Sequence, residues 1–562
     1  MLFEVFGKQA IKNLGKCYLF GCFGKAMKPF LLLLKMILLC GLPLVIQAQN
    51  FAWAKGEGGI GNDMANAITT DEQGNSYITG NLAGMANFSG QVVQGQGLYD
   101  AVLLRYDAAG NINWIRTAGG KGNDEGDAIK YKDGYVYVAG RFEDSALFSG
   151  TGMRSAGSSD VFIAKYETNG NLVWVRKAGG SKADYPTAID VDADGNVYVA
   201  GSYETAITID AVTLNTTNLY GESFYAKYDA SGNLQWAKSA AGNNFNLLTG
   251  LACDGGGAVV VTGFFGGNFK LQNTALNAQT ASFDIFLAKL DGSGNLQWLK
   301  RAGGSFEDEA NAICVDGQGN IFITGYFAGT AYFDANSVTY QDYSDVFVAK
   351  YDGNGNNLWA RDGNGAQLDA GYAIATDAVG NVYATGMFQN TADFDGHILT
   401  GDFRDIFLVS YSPSGQLRWI TSAGGGDTDC GLGVSVKPNG TVSFCGFYRF
   451  TCSFGTINVD VAEDNDMFIA DFNPPLVDNI ESVSSLSLTI SPSICAACPE
   501  ILLTTAGEDK KQVELYASSG QLLMSTQMEY ALNIPVACLP RGIYYIHVTG
   551  TGAQTVRKVV LQ

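Results

Sequence analysis

Short apolar runs separated by tight turns recur through most of the chain. In the run DVFIAKY, Val161 and Ile163 fall on one face of a strand, and Phe162 and Ala164 fall on the other. Successive side chains of a strand point to opposite faces, so a strand that is apolar on both must be covered on both. Turns such as DAAGN, DASGN and DGSGN supply Asp and Asn for local hydrogen bonds and Gly for positive φ. This pattern predicts strands in stacked sheets.

The composition agrees with an all-β chain. Of 562 residues, 71 are Gly and are spread throughout, which disfavours helices. Charged residues make up 16% and apolar residues 46%, so the chain has ample surface to bury and is not of the disordered class.

The tryptophans define an internal repeat of four strands. A Trp-containing segment, Phe51 to Lys55, precedes the first complete repeat. The last repeat has no Trp-containing segment after its third strand. We therefore predict a seven-bladed β-propeller over residues 49–472, in which the amino-terminal strand completes the last blade. The seven tryptophans follow one another at spacings of 61, 60, 62, 62, 61 and 60 residues. They are Trp53, Trp114, Trp174, Trp236, Trp298, Trp359 and Trp419.

Two sets of acidic residues keep step with the repeat. The first set follows Gly-Gly and recurs in nearly every repeat, so we interpret it as a turn lock and not as a ligand or ion ring. We expect the second set to pair with Lys or Arg on neighbouring strands. The first set is Asp63, Asp124, Asp184, Asn246, Asp308, Asp369 and Asp429, and the second is Asp100, Asp160, Glu222, Asp284, Asp345, Asp405 and Asp466.

The unit GGxxxDxAxAIxxDxxGNxYxTGxF…DxFLAKYDxxGNLxW resembles the bacterial seven-bladed propeller repeat labelled SBBP. The resemblance covers about 420 residues and implies a fold more than a function, because this family has no general assigned activity. The fourth repeat departs from the unit, with AAGNNFN in place of the Gly-Gly and Asp. Ser410 and Asp471 also stand where Lys is usual.

The carboxy-terminal part has a different pattern. Pro474 and Pro475 interrupt the repeat, and we assign residues 473–485 to a linker. Residues 486–562 alternate apolar and polar positions in short runs, which predicts a small β-sandwich. The segments VELYASSGQLL, LPRGIYYIHV and VRKVVL resemble the type A carboxy-terminal sorting domain of type IX secretion. The sorting motif residues are Gly542, Tyr544 and Lys558.

That resemblance implies an outer-membrane translocon as a partner. By analogy, the sorting domain is then cut off, and the protein is released or attached to surface lipopolysaccharide. We therefore expect a secreted or outer-membrane surface location.

The amino terminus resembles an export signal. From Met27 the chain has a basic start at Lys28, an apolar run from Phe30 to Ile46, and a small-residue end at Ala48. These features are typical of a secretory signal peptide. We predict that residues 1–48 comprise this signal and an upstream extension, with Met27 as an alternative start.

Charge and residue counts exclude several classes of function. The net charge of −20 disfavours nucleic acid as a partner. With only His397 and His547, the chain is a poor candidate for His-based metal sites or Ser-His-Asp catalysis. Cys495 and Cys498 form a CxxC, with Cys538 as a further cysteine, and we interpret them as buried residues or an incidental disulfide in preference to a metal or redox site.

One turn breaks the symmetry of the repeats. Asp190, Asp192 and Asp194 alternate before Gly195, and such carboxylates can converge on Ca²⁺. An EF-hand would need Glu where Gly201 stands, so an ordinary Asp-rich hairpin turn is the alternative. Calcium is the one cofactor that we consider.

The sequence favours a monomeric binding module over an enzyme. We expect a secreted or cell-surface propeller that binds a glycan, a protein or a surface. The alternative is a secreted glycan hydrolase or lyase that uses carboxylates, because such chemistry needs no His. A structural envelope component is a third option. An acid pair in the channel that breaks the symmetry would favour the enzyme, but the sequence alone does not identify one.

Overall fold

The structure is a computed structural model of the chain. It describes residues 50–475, apart from 281 and 341–342, and eight strands between residues 488 and 561. The predicted signal peptide, residues 476–485 of the predicted linker, Cys498 and Cys538 lie outside the described residues.

Within residues 50–475 the strands of the repeat pair in antiparallel sets of four, which we number as blades 1 to 7 in chain order. The inner strands are Met64–Thr70, Glu125–Lys132, Asp184–Val191, Asn246–Cys253, Asp308–Val315, Ala370–Thr376 and Cys430–Val436. The second strands are Ser76–Leu82, Tyr135–Phe148, Val197–Tyr203, Val259–Gly266, Ile321–Phe327, Val382–Phe394 and Val442–Phe454. The third strands are Asp100–Tyr106, Thr151–Glu167, Glu222–Tyr228, Phe283–Leu290, Asp345–Tyr351, His397–Tyr411 and Ile457–Asn473. The outer strands are Ile112–Gly120, Leu172–Gly179, Leu234–Gly242, Leu296–Ala302, Asn357–Gly365, Leu417–Gly425 and, for blade 7, Asn50–Gly59.

Both faces of the third strands are buried, as the apolar pattern predicts. Val161 and Ile163 are fully buried, and Phe162 and Ala164 on the opposite face are buried as well. Stacked sheets therefore cover each blade on two sides, which confirms the all-β propeller class.

A hairpin between the second and third strands joins each blade to the one before it. In blade 3, Ile209 of this hairpin pairs with Ala178 of the outer strand of blade 2. In blades 2, 6 and 7 the hairpin continues the long second and third strands. In the other blades its strands are Met85–Phe88 and Gln91–Gln94, Ala206–Ile209 and Val212–Asn215, Asn268–Leu271 and Thr274–Asn277, and Thr330–Phe333 and Asn336–Thr339.

The ring closes through the amino-terminal strand. Phe51 pairs with Phe472, and Ala54 pairs with Ala470, so this strand completes blade 7 as predicted. Each inner strand contacts the inner strand of the next blade, and those of blades 7 and 1 also touch. Thr70 Oγ1 lies 2.8 Å from Ser435 Oγ across this junction.

The recurring tryptophans tie neighbouring blades together. Five of them donate an indole N–H to a carbonyl in the turn between the third and outer strands of the next blade, at 3.0 to 3.4 Å. This contact explains why the Trp spacing equals the blade repeat. The pairs are Trp114 with Thr168, Trp174 with Ala230, Trp236 with Gly292, Trp298 with Gly353, and Trp359 with Pro413.

Blade 4 departs from the repeat for a packing reason. Phe245 is the aromatic residue at a position where the other blades carry Asn62, Asn123, Ala183, Glu307, Leu368 and Thr428. It forms an aromatic cluster with Phe264 and Phe283, with ring centroids 5.4 to 6.0 Å apart. The neighbouring residue Asn246 keeps a polar side chain in the position of the turn Asp.

The carboxy-terminal strands form a five-stranded and a three-stranded sheet. In the register of the larger sheet, Tyr544 is opposite Val559, and Gly542 is opposite Leu561. Lys558 is opposite Tyr545, so all three sorting motif residues lie on one strand pair. The strands are Leu488–Ser491, Ile494–Cys495, Glu500–Thr505, Lys511–Ala517, Leu522–Met528, Ala531–Pro535, Gly542–Gly550 and Ala553–Leu561.

The part of the chain that the structure describes contains no helix of the length and hydropathy needed to span a membrane.

Candidate ligand-binding site at the channel mouth

The first set of repeated acids locks turns. Asp63 accepts hydrogen bonds from the backbone N–H groups of Gly59 at 2.8 Å and Ala83 at 2.6 Å. Asp124 likewise accepts from Gly120 and Glu143. These side chains are buried, and burial raises their pKa, to about 6 for Asp63 and about 7 for Asp124. The predicted structural role is confirmed for these two residues.

Members of the second set pair with basic residues, as expected, in two blades. Asp284 lies 2.8 Å from Arg301, and Asp160 lies 3.5 Å from Lys177. In blade 3 the acid is Glu222, which accepts a hydrogen bond from Tyr203 at 3.1 Å. Because these acids have partners within the blades, a ligand site is expected at positions where one blade differs from the others.

The three aspartates of the blade 3 turn have different partners. Asp190 forms an ion pair with Lys130 at 2.8 Å and accepts the backbone N–H of Cys253. Asp192 accepts the backbone N–H groups of Asp194 and Asn196, as an ordinary turn residue does. The Asp194 side chain is exposed. Within the described residues no three His, Cys, Asp or Glu side chains form a metal-binding group, and calcium at this turn stays a prediction.

Side-chain hydrogen bonds link neighbouring inner strands of several blades around the channel. The third residue after the repeated turn acid reaches across to a backbone carbonyl of the next inner strand. This link joins blades 1 to 2, 3 to 4, 4 to 5 and 5 to 6. The pairs are Asn66 with Gly126 O, Thr187 with Leu248 O, Thr249 with Ala310 O, and Asn311 with Gly371 O.

Asp127 occupies this position in blade 2, and the described residues show no such link from it to blade 3, nor from Tyr372 and Leu432 of blades 6 and 7. In its ionised form Asp127 can only accept hydrogen bonds, so it cannot donate to a carbonyl as the Asn and Thr side chains do. Its Oδ2 atom is buried and has no hydrogen-bond partner among the described residues. Burial raises the pKa of Asp127 to about 8, although the charge of Arg141 acts in the opposite direction.

Glu125 and Arg141 lie beside this acid. Glu125 precedes Asp127 by two residues, and both line the same cavity, although a β-bulge at Asp127 interrupts the regular pairing of the inner strand. Arg141, on the second strand of the same blade, holds the Glu125 carboxylate at 2.6 Å. Blade 2 therefore presents an ion pair and an acid whose Oδ2 has no hydrogen-bond partner among the described residues, although the charge of Arg141 acts on this acid as well.

These residues line a polar cavity of about 490 Å³ where the inner strands begin. This volume is within the usual range for small-ligand sites. We call it the channel-mouth cavity. It is lined by Asn62, Met64, Asn66, Asn81, Tyr99, Glu125, Asp127, Arg141 and Asn465.

Apolar side chains are exposed on the loops beside this cavity. Ile60 and Leu98 are 69% and 65% exposed and lie next to the lining residues of the same loops. Corresponding loops of other blades also expose large apolar or aromatic side chains, which we call the rim. Its further members are Tyr220, Phe306, Tyr343, Leu368, Phe403 and Phe450.

The sequence reasoning did not identify Glu125, Asp127 and Arg141. The available signal was the alignment of the inner strands, where one position carries Asn66, Asp127, Thr187, Thr249, Asn311, Tyr372 and Leu432 in the seven blades. Only one of these residues is acidic.

Comparison with protein families confirms both resemblances. Residues 173–202 match a beta-propeller repeat. Residues 500–562 match a secretion system C-terminal sorting domain, which indicates export to the cell surface or the extracellular space.

Two curated relatives align with the chain at low identity. An uncharacterized WD repeat-containing protein of Acanthamoeba polyphaga mimivirus is 24% identical over 361 residues, which cover 51% of this chain and 26% of that protein. The regulatory protein FlaEY of Caulobacter vibrioides is 26% identical over 359 residues, covering 58% of this chain and 34% of that protein. The chain thus spans about a quarter to a third of the length of these relatives.

Solved structures match the chain at low TM-scores and low identity. A fungal alcohol oxidase of the AA5 family, in complex with copper, has a TM-score of 0.38 at 12% identity, covering 91% of this chain and 100% of that one. Sqt1 from Chaetomium thermophilum has a TM-score of 0.36 at 10% identity, covering 71% of this chain and 83% of that one. No activity is transferred from either protein.

Proposed function

We propose that this chain, a propeller exported by its sorting domain, binds a glycan at the channel mouth between blades 1 and 2. The sorting domain implies interaction with the secretion machinery, which leaves the propeller as the part that acts outside the cell. The proposal rests on the channel-mouth cavity, which departs from the symmetry of the blades.

The lining of the cavity suits hydroxyl groups. Sugar hydroxyls need both donors and acceptors, and four Asn side chains, a Tyr, two carboxyl groups and an Arg supply them. Asn66 and Asn81 each use their amide N–H in a contact with the backbone, which leaves each Oδ1 as an acceptor. The exposed Ile60 and Leu98 offer apolar surface beside the cavity for the C–H faces of a sugar ring.

The proposal is tested by binding of the purified full chain to a glycan array and by calorimetry on the best ligand. Glu125→Gln should weaken binding by roughly tenfold, because it breaks the ion pair that positions Arg141. The matched control is Glu309→Gln, since Glu309 has the same position in blade 5 but does not line the cavity. Equal losses for both variants, or no glycan bound at all, would contradict the proposal.

A glycan hydrolase is the second candidate function. Glu125 and Asp127 both line the cavity, and a pair of carboxyl groups is what glycan-cleaving enzymes use as acid and base. Their environments also differ, as acid and base roles require. Binding is the better-supported function because Arg141 already holds the carboxylate that would have to act as the base. Release of reducing ends that Asp127→Asn abolishes, with the fold intact, would establish the enzyme instead.

A further inference from the structure

We infer that Asp127 recognises a primary ammonium group on the ligand, so that the channel-mouth cavity selects amino sugars over neutral sugars. This inference rests on the proposed glycan-binding function and names the class of sugar. It follows from a side chain that is unfavourable for the blade and yet occupies the wall of the cavity.

The blades themselves provide the reference for this argument. In blades 1 and 5, Asn66 and Asn311 stand at the position of Asp127 and donate to the next inner strand at 3.0 and 2.9 Å. Asn and Asp have nearly the same shape, so an amide at residue 127 would complete the same link to blade 3. An acid there instead leaves Oδ2 buried without a hydrogen-bond partner among the described residues. Other aspartates, such as Asp308 and Asp369, also carry a buried oxygen without a hydrogen-bond partner among the described residues, but Asp127 is the one of this group that lines the channel-mouth cavity.

The charges of the cavity residues indicate the charge of the ligand group that would face Asp127. Glu125 and Arg141 neutralise each other at 2.6 Å. An ionised Asp127 would leave one negative charge, which a ligand with a single positive charge balances. Besides these two residues, the titratable groups nearby are Tyr99, which lines the cavity, and Tyr185 of the next inner strand, which interacts with Arg141. Neither tyrosine supplies a positive charge.

The remaining lining residues favour a sugar as the carrier of the ammonium group. The amides of Asn62, Asn66, Asn81 and Asn465 line the same cavity as the acid and offer uncharged polar groups to sugar hydroxyls. A lysine side chain carries the same ammonium group on an apolar stem, and its binding would leave these amides without partners. The two sources are therefore distinguishable by direct comparison.

The test measures binding of glucosamine, N-acetylglucosamine, glucose and free lysine to the full chain by calorimetry. Glucosamine should bind at least about tenfold more tightly than the other three, the gain expected of one charge-assisted hydrogen bond. Asp127 is protonated in the empty site at pH 6.5, since burial raises its pKa to about 8. An ammonium ligand requires the carboxylate, so binding at this pH should release about one proton, read from buffers of different ionisation enthalpy.

Two variants separate recognition from folding. Asp127→Asn should remove the preference for glucosamine and the proton release, while thermal stability stays equal or rises. The control Asn311→Asp places an acid at the same position of blade 5 and should lower thermal stability without changing the preference.

Each outcome has a defined meaning. If glycans bind without an amine preference, or if Asp127→Asn keeps the preference, the inference is overturned and the proposed function stands. If only lysine binds, and Asp127 is required, the ammonium site stands but the sugar assignment and the glycan function fail. If none of the probes binds and the array is blank, both fail.

Discussion

The closing junction between blades 7 and 1 differs from the repeated junctions in the residues that stabilise the end of the third strand. In a repeated junction, a Lys near the end of the third strand reaches a turn carbonyl of the next blade. Lys165 reaches Ala230 O at 3.3 Å, and Lys350 reaches Pro413 O at 2.9 Å. At the closing junction this Lys is replaced by Asp471.

The opposite charge appears at the neighbouring turn. In blade 4, the turn acid Asp254 pairs with the third-strand Lys289 at 2.8 Å. In blade 7, the turn residue is Lys437, and it pairs with Asp471 at 2.5 Å. Both side chains of the blade 7 pair are almost fully buried, whereas those of blade 4 are 14% and 11% exposed. The two positions have therefore exchanged charges while the ion pair is retained.

This difference shows what the repeat retains. In blades 3, 4 and 7 an ion pair joins the end of the third strand to the turn after the inner strand, and blade 7 shows that either side can carry the acid. The exchange occurs where the two ends of the ring meet, and Asp471 also accepts a hydrogen bond from Ser443 at 2.6 Å. The closing junction is thus a variant of the common plan, more deeply buried than the others.

The largest effect is expected from removing the closing strand. Deleting residues 51–55 should lower the free energy of unfolding by more than about 3–5 kcal/mol, the cost of losing one buried aromatic residue alone. Phe51 contacts Phe444, Phe454 and Phe472, with ring centroids 5.2 to 6.0 Å apart. Urea denaturation of the purified propeller measures the loss, with Val92→Ala on an exposed strand as the control. An unchanged midpoint would contradict the closure.

The next largest effect concerns the exchanged ion pair. Lys437→Met should lower the free energy of unfolding by about 3–5 kcal/mol, because it leaves Asp471 charged and buried without its partner. Denaturation at pH 7 measures this cost.

A double variant then tests the comparison itself. Lys437→Asp together with Asp471→Lys restores the charge order of blade 4, and it should recover more than half of the loss. If the double variant is no more stable than Lys437→Met, the two junctions are not interchangeable, and the lesson drawn from them is wrong.

A third prediction separates the junctions by the pH dependence of stability. Burial raises the pKa of Asp63 at the closing junction to about 6 and that of Asp308 at a repeated junction to about 8, from an ordinary value of 3.8. A carboxyl group with a raised pKa in the folded state stabilises the protein below its unfolded pKa. That contribution is lost as the pH rises through the folded pKa, by up to about 1.4 kcal/mol per pH unit and group.

The propeller should therefore be less stable at pH 8.5 than at pH 5. Asp308→Asn, which copies the natural Asn246 of blade 4, should flatten the decline from pH 4 to 8. Asp63→Asn should flatten it only from pH 4 to 6. Melting temperatures across this range provide the readout, and identical pH profiles for the two variants would contradict the distinction.

The fold could be predicted from the sequence because seven copies of one pattern reinforce each other. The regular Trp spacing and the Trp run of the first strand were enough to infer the closure that the pairing of Phe51 with Phe472 confirms. The charge exchange at Lys437 and Asp471 was visible only as a missing Lys. Residues 437 and 471 lie on different elements, and their contact depends on how the blade folds.

The candidate site could not be predicted for the opposite reason. Asp190, Asp192 and Asp194 attracted attention because they are close in sequence, yet they have different partners in the structure. Asp127 does not stand out in the sequence, and its importance depends on a carbonyl of another blade and on Arg141. Single departures from a repeat gain meaning only when the contacts of the other copies are known.

The smallest effect compares the turns that rest on the tryptophans. Gly110 lies over Trp53 at the closing junction, and Gly294 lies over Trp236 at a repeated one, with φ of +80° and +72°. Replacement by Ala costs about 1 kcal/mol at either site because of the positive φ, so this term cancels between them. An added Cβ would lie 2.6 Å from Trp53 but 3.0 Å from Trp236. Gly110→Ala should therefore be the more destabilising by roughly 1 kcal/mol, the lower end of overpacking costs, as paired denaturation curves would show. Equal losses of unfolding free energy would mean that Trp53 can shift to accommodate the added Cβ as easily as Trp236. The closing junction would then differ from the repeated ones in charge but not in packing.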